Sequence, residues 1–123
     1  MTAFVPDPLI LALDTPHPGA LRVALKGDLD FTTAGELLAA AVAAIEDRAP
    51  ADLYLDCGGL RICDSSGLAI LLTVRRHATA AGARLHLDDR PPVLDRLLEL
   101  SGTYEHLVGA PAPASSRWSS TQD

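Results

Sequence analysis

Apolar and polar positions follow two different periods along this chain, and the points where one gives way to the other predict its elements. Leu9 to Leu13 is a short apolar run closed by the turn-rich Thr15-Pro16-His17-Pro18-Gly19, and Ala20 to Lys26 is a second apolar stretch ended by Gly27. Two such runs joined by a Pro/Gly turn predict a β-hairpin. Beyond it the period lengthens. Leu37, Leu38, Ala41, Ala44 and Ile45 recur at helical spacing, which puts them on one stripe of a helix. Thr33-Ala34-Gly35-Glu36 ahead of that stripe has the spacing of a capping box, in which hydroxyl and carboxylate satisfy unpaired backbone donors reciprocally. Pro50 stops the helix because it has no N–H to donate.

The second half repeats the alternation. Leu53 to Cys57 predicts a strand broken by Gly58-Gly59, which reads as a turn. A helix runs from about Ser66 to Ala80, with Leu68, Leu71, Leu72 and Ala78 inward and Gly82 as its stop. Ala83 to Leu87 alternates apolar with polar and predicts a half-buried strand. A third helix runs from Pro92 to Leu100, with Val93, Leu94, Leu97 and Leu98 on one face and Ser101-Gly102 as its cap. Strands separated by helices imply βαβ crossovers, hence parallel strand pairs covered by helices. The fold class is α/β (α+β), with a mixed sheet of four to five strands and three to four helices.

Composition narrows the function. Only five of the 123 residues are aromatic (Phe4, Phe31, Tyr54, Tyr104 and Trp118), so the core is packed from Leu, Val, Ile and Ala. Sixteen acidic residues against ten basic ones give a net charge of −6, which argues against nucleic acid as a partner because phosphate binding needs clustered cations. Cys57 and Cys63 lie in apolar surroundings and read as buried free thiols. They are separated by five residues with no second pair, so they predict no zinc site and no other metal. No basic-led apolar segment opens the chain and no run of 18 apolar residues occurs in it, so a soluble, cytoplasmic protein without membrane insertion is expected. Residues 1–8 and the Pro/Ser-rich stretch 110–123 carry no apolar period and are expected to be a flexible lead and a disordered tail, leaving Trp118 in solvent.

The stretch with the most unusual composition is Asp56 to Leu68, where Asp64, Ser65 and Ser66 stand together between a strand and a helix. Helix capping explains one such residue, since Asp and Ser are preferred caps, but three in a row exceed what a cap requires. Catalysis is not supported. A nucleophile elbow around Ser65 needs glycine where Cys63 stands. His17, His77, His86 and His106 are scattered, and no glycine-rich phosphate loop is present. No catalytic residue and no cofactor is expected.

Asp64-Ser65-Ser66-Gly67-Leu68 resembles the Asp-Ser-Ser/Thr-Gly-Leu signature of bacterial anti-sigma factor antagonists, the STAS-domain family. Gly27-Asp28-Leu29-Asp30 resembles that family's Gly-Glu-Leu/Ile-Asp turn ahead of the first helix, and Leu97-Leu98-Glu99-Leu100-Ser101-Gly102 resembles its third-helix ending. The three occur in order at family spacings, and the likeness spans residues 9–109 as one domain. Two departures stand out. Gly58-Gly59 occupies the place of a trio such as Asp-Leu-Ser, and Ile62-Cys63 precedes the signature where an aromatic is usual.

The resemblance implies a STAS-like fold and a partner-switching module without chemistry of its own. The serine directly after the aspartate, here Ser65, is the position phosphorylated by the cognate anti-sigma factor, which is also a serine protein kinase; adjacent Ser66 is the fallback. The unphosphorylated form holds the anti-sigma factor and frees the sigma factor, and a metal-dependent Ser/Thr phosphatase resets the switch. Asp28, Asp30, Asp64, Ser65, Ser66 and Gly67 make up the implied docking face. Asp28 and Asp30 come after a glycine at a strand end and are expected to be exposed, outside buried ion pairs. The alternative role for such a module is a subunit of a larger signalling or transport assembly that does not switch by phosphorylation.

Overall fold

A computed structural model describes residues 9–103 and Leu107. Four strands and three helices appear among them in the order β1 (Ile10–Asp14), β2 (Ala20–Leu29), α1 (Ala34–Arg48), β3 (Asp52–Cys63), α2 (Ser65–Ala80), β4 (Arg84–Asp88) and α3 (Pro92–Ser101). The sheet order is β1-β2-β3-β4. β1 and β2 form the expected antiparallel hairpin, while β2–β3 and β3–β4 are parallel pairs, each joined through a helix as parallel strands require. The residues expected at the two termini, including Trp118, lie outside the described part of the chain.

Alternation on the two central strands decides which face is covered. Leu21, Val23 and Leu25 of β2 and Leu53, Leu55 and Cys57 of β3 are buried, whereas Arg22, Lys26, Tyr54 and Asp56 take the opposite face. Leu37, Ala41, Ala44 and Ile45 of α1 and Leu68, Leu71, Val74 and Ala78 of α2 close over the apolar side. Each fully buried Leu or Val contributes about 1.5–3 kcal/mol relative to an exposed one, so this aliphatic layer is the main source of stability. Val74 joins the inward stripe of α2 in addition to the expected residues, and Leu72 is only half-buried. In α3 the inward pair is Leu94 and Leu98, with Leu97 at the margin. Val93 is exposed. It precedes Leu94 by one residue, or about 100° around the helix, which turns it off the inward stripe.

Two glycine expectations are corrected. Gly27 does not end β2, which continues to Leu29, and Gly58-Gly59 does not end β3, which runs unbroken to Cys63. The two strands stay paired because their register slips twice: Ala24 faces Asp56, Lys26 faces Gly59, and Asp28 faces Ile62. Each slip inserts one extra residue on β3, a β-bulge that bends the pair and re-aims the side chains beyond it. Gly27 has φ +118°, in the region that favours glycine. A Cβ on Gly59 would lie 2.6 Å from the Leu25 carbonyl oxygen. Gly27 therefore serves a backbone conformation and Gly59 a close strand approach, and neither makes a turn.

Candidate functional site

The central strands β2 and β3 finish together at one end of the sheet, where β3 passes into α2. The Asp64 N–H donates to the Leu29 carbonyl oxygen at 3.3 Å, tying the end of β3 to the end of β2. Asp64 is the N-cap of α2, and its carboxylate accepts from the Gly67 N–H at 3.0 Å. Gly67 is buried against Leu29: a Cβ there would sit 2.8 Å from the Leu29 carbonyl oxygen and 3.0 Å from Cys63 Sγ. Its missing side chain lets the helix start seat directly on β2. Capping thus accounts for Asp64, and close packing for Gly67. Neither accounts for Ser65, which is the first residue of α2, is exposed, and makes no side-chain hydrogen bond to the described residues. Ser66 beside it is half-buried.

The turn after β2 is built differently from its sequence reading. Thr33 precedes α1 but its side chain does not cap the helix. The hydroxyl donates to the Asp28 carbonyl oxygen at 2.8 Å and accepts from the Asp30 N–H at 3.0 Å. The strand end claims the hydroxyl before the helix can, so no capping box forms with Glu36. The Asp30 carboxylate accepts from the Thr32 hydroxyl at 2.6 Å and the Thr32 N–H at 2.9 Å. The Thr32 hydroxyl bond above all, with the turn's N–H groups helping, holds the Asp30 carboxyl below the usual carboxylate range.

Asp28 corrects the expectation of an exposed carboxylate. It is only 7% exposed and receives Arg61 Nε at 3.2 Å and Nη2 at 3.3 Å on its two oxygens. The second slip leaves Arg61 as the extra residue of β3, between Leu60 opposite Gly27 and Ile62 opposite Asp28, and from there its guanidinium reaches the Asp28 carboxylate. Asp30 is half-buried and held within the Thr32–Thr33 turn. The site therefore brings together Asp28, Asp30, Asp64, Ser65, Ser66 and Gly67 at one end of the sheet, but only some of them at the surface. Sequence reading missed Arg61, whose one signal was a basic residue at an exposed position between apolar ones.

The remaining candidate chemistry lies elsewhere. Cys57 and Cys63 are free and buried; burial pushes their thiols up to about 12 and about 11, so neither is a nucleophile. His86 Nε2 lies 2.8 Å from Asp52 and stacks on Tyr54 at 4.5 Å between ring centroids, an acid–imidazole pair not expected from the sequence. It stands at the opposite end of β3 from Ser65, so the two form no triad. No group of three potential metal ligands occurs among the described residues. No helix among them is long and apolar enough to cross a membrane.

Comparison with known proteins agrees with this geometry. Residues 14–109 match the family model described as Mlab, STAS domain. An anti-sigma F factor antagonist of Paenibacillus polymyxa is 32% identical over 89 residues, covering 72% of this chain and 76% of the relative. An anti-sigma factor antagonist from Mycobacterium paratuberculosis superposes with a TM-score of 0.73 at 25% identity, over 84% of this chain and 86% of that one. The Bacillus antagonist SpoIIAA in its unphosphorylated form gives a TM-score of 0.67 at 23% identity, over 76% and 82% of the two chains, and its phosphorylated form one of 0.63. With most of its length matched by the family model and a relative above 30% identity, the chain belongs to the STAS domain family and, within it, to the anti-sigma factor antagonists, which are binding proteins rather than enzymes.

Proposed function

We propose that this protein is a partner switch: unphosphorylated, it binds a cognate anti-sigma factor and so releases a sigma factor in the cytoplasm, and phosphorylation of Ser65 by that same partner, acting as a serine kinase, turns it off. A Ser/Thr phosphatase returns it to the binding form. The observation that carries this reading is the exposed, unbonded hydroxyl of Ser65 at the first position of α2, directly after the capping Asp64. A hydroxyl with no structural work to do is available to a kinase. SpoIIAA is also known in a phosphorylated form.

Physical chemistry says why such a switch acts on binding and not on folding. A phosphoserine adds about −1.5 to −2 charge. At a helix start it meets unpaired N–H groups and the positive end of the dipole, so the domain tolerates it. The cost falls on the interface, where the new charge joins that of Asp64. A like charge of the partner held ~6 Å away at an effective dielectric of ~20 costs about 1–3 kcal/mol, or about 10- to 100-fold in affinity.

The test is to incubate the protein with its cognate kinase and ATP and to map the phosphate by mass spectrometry. Ser65→Ala should abolish incorporation and keep binding, while Ser65→Glu should weaken binding without unfolding the domain. Phosphate on Ser66 would move the switch by one residue. Phosphate on neither would leave the chain as a non-switching subunit of a signalling or transport assembly.

A further inference from the structure

We infer that Phe31 is the apolar anchor of the docking face, a preformed knob that enters an aromatic-sized apolar pocket on the anti-sigma factor. This rests on the proposed function and adds to it the residue that supplies affinity and the kind of surface that receives it.

Phe31 is 78% exposed, although a ring that size is ordinarily covered. It nevertheless lies inside a turn that hydrogen bonds close on both sides. On the N-terminal side the Asp30 N–H donates to Thr33 Oγ1, and on the C-terminal side the Thr32 N–H and hydroxyl both donate to the Asp30 carboxylate. The Thr33 and Ala34 N–H groups close the turn onto the Asp30 carbonyl oxygen at 3.1 and 2.8 Å. Every local bond thus encloses Phe31 and none withdraws its ring from water. An aromatic side chain on a fixed turn has two torsions left to lose, so it binds at low entropic cost.

The position of the knob selects its partner. Leu29, two residues before Phe31, accepts the Asp64 N–H, so this turn and the Ser65 end of α2 lie at the same end of the sheet. Ile62, 49% exposed, faces Asp28 across the strands at that same end. Arg61, whose guanidinium Asp28 fixes, and the carboxylates of Asp30 and Asp64 supply polar groups around this apolar pair. An apolar centre with a polar rim is the anatomy of a specific protein interface, and aromatic anchors at such centres carry much of the affinity. A partner that reaches Ser65 must come down on the Phe31 turn.

The test is titration of the anti-sigma factor into the unphosphorylated, full-length protein and its variants. Phe31→Ala should weaken binding about thirtyfold, the scale of an interface hot spot, with an unchanged melting temperature. Phe31→Tyr should retain most of the affinity. Leu100→Ala, which removes a side chain 79% exposed on α3, should leave binding unchanged. Wild-type protein that fails to bind would overturn the partner-switching reading and this inference together. Wild-type binding that survives Phe31→Ala within twofold would overturn the inference alone, as would an equal loss from Leu100→Ala. Sedimentation of the isolated protein provides the last arm: a wild-type dimer dissociated by Phe31→Ala would assign the knob to self-association and sink the inference.

Discussion

Across the ends of β2 and β3, the carboxylate of Asp28 holds the guanidinium of Arg61 through two near-parallel hydrogen bonds, at 3.2 and 3.3 Å. The pair is lopsided. Asp28 is buried, while the Arg61 side chain is 59% exposed. The two residues are 33 apart in sequence, and Arg61 is the extra residue of the second bulge, next to Ile62, which pairs with Asp28. The bond therefore locks the register of the two strands at the end that carries Ser65.

That asymmetry predicts unequal single mutants. Arg61→Ala strips the cation from a carboxylate that stays buried, and should cost about 1–3 kcal/mol. Asp28→Ala removes one partner of a guanidinium that water already reaches, and should cost about 1 kcal/mol or less. Urea unfolding of both variants measures the difference. Equal losses, or a larger loss from Asp28→Ala, would show that the pair does not act as a brace on a buried acid.

Glycines at the site and away from it should behave oppositely. Gly67→Ala drives a Cβ to 2.8 Å from a backbone oxygen of β2, and should destabilise by about 1–3 kcal/mol as overpacking does. Gly35→Ala adds a methyl into open space on α1, and should stabilise by about 0.5–1 kcal/mol because alanine restricts the unfolded chain. Thermal melts of the two variants should move in opposite directions.

Acid should expose two carboxylates. Asp30 is lowered chiefly by its hydrogen bond from Thr32, and Asp52 by its bonds from His86 and then Arg84. A carboxyl whose folded pKa lies below its unfolded value, about 3.9, contributes stability that is present above that value and lost as pH falls through the folded pKa. The acid limb of the stability–pH curve should therefore soften in Asp52→Asn. The same limb in Asp52→Asn and wild type would show that the Asp52 cluster does not couple to folding.

Cys57 and Cys63 should be silent in the native state. With pKa values of about 12 and about 11, their thiolate fractions at pH 8 are about one in ten thousand and about one in a thousand. Dithionitrobenzoate should titrate neither thiol in folded protein at pH 8 and both after unfolding in urea. Rapid reaction of one thiol in the folded state would mean that the helix layer over β3 lifts from the sheet.

Much of this protein was legible in its sequence because the relevant physics is local. The 3.6-residue stripe ending at Ile45, the stop at Pro50 and the alternation around His86 each depend on residues a few positions apart, and each element stands where its pattern puts it. The Asp64–Leu68 signature marks its helix start for the same reason. What the tertiary structure alone decided concerns residues whose partners are far away in the chain. A glycine that ends a strand and a glycine that admits a neighbouring strand look identical until that neighbour is in place. Gly59 is of the second kind, within a continuous strand and against the Leu25 carbonyl of β2. Thr33 has a helix to cap and a strand end to bind, and only the folded turn shows that the carbonyl of Asp28 wins. Asp28 itself reads as a surface carboxylate by every local rule. It is buried beside β3 with Arg61 on its carboxylate, and a register set by contacts between β2 and β3 cannot be computed from the pattern of either strand alone.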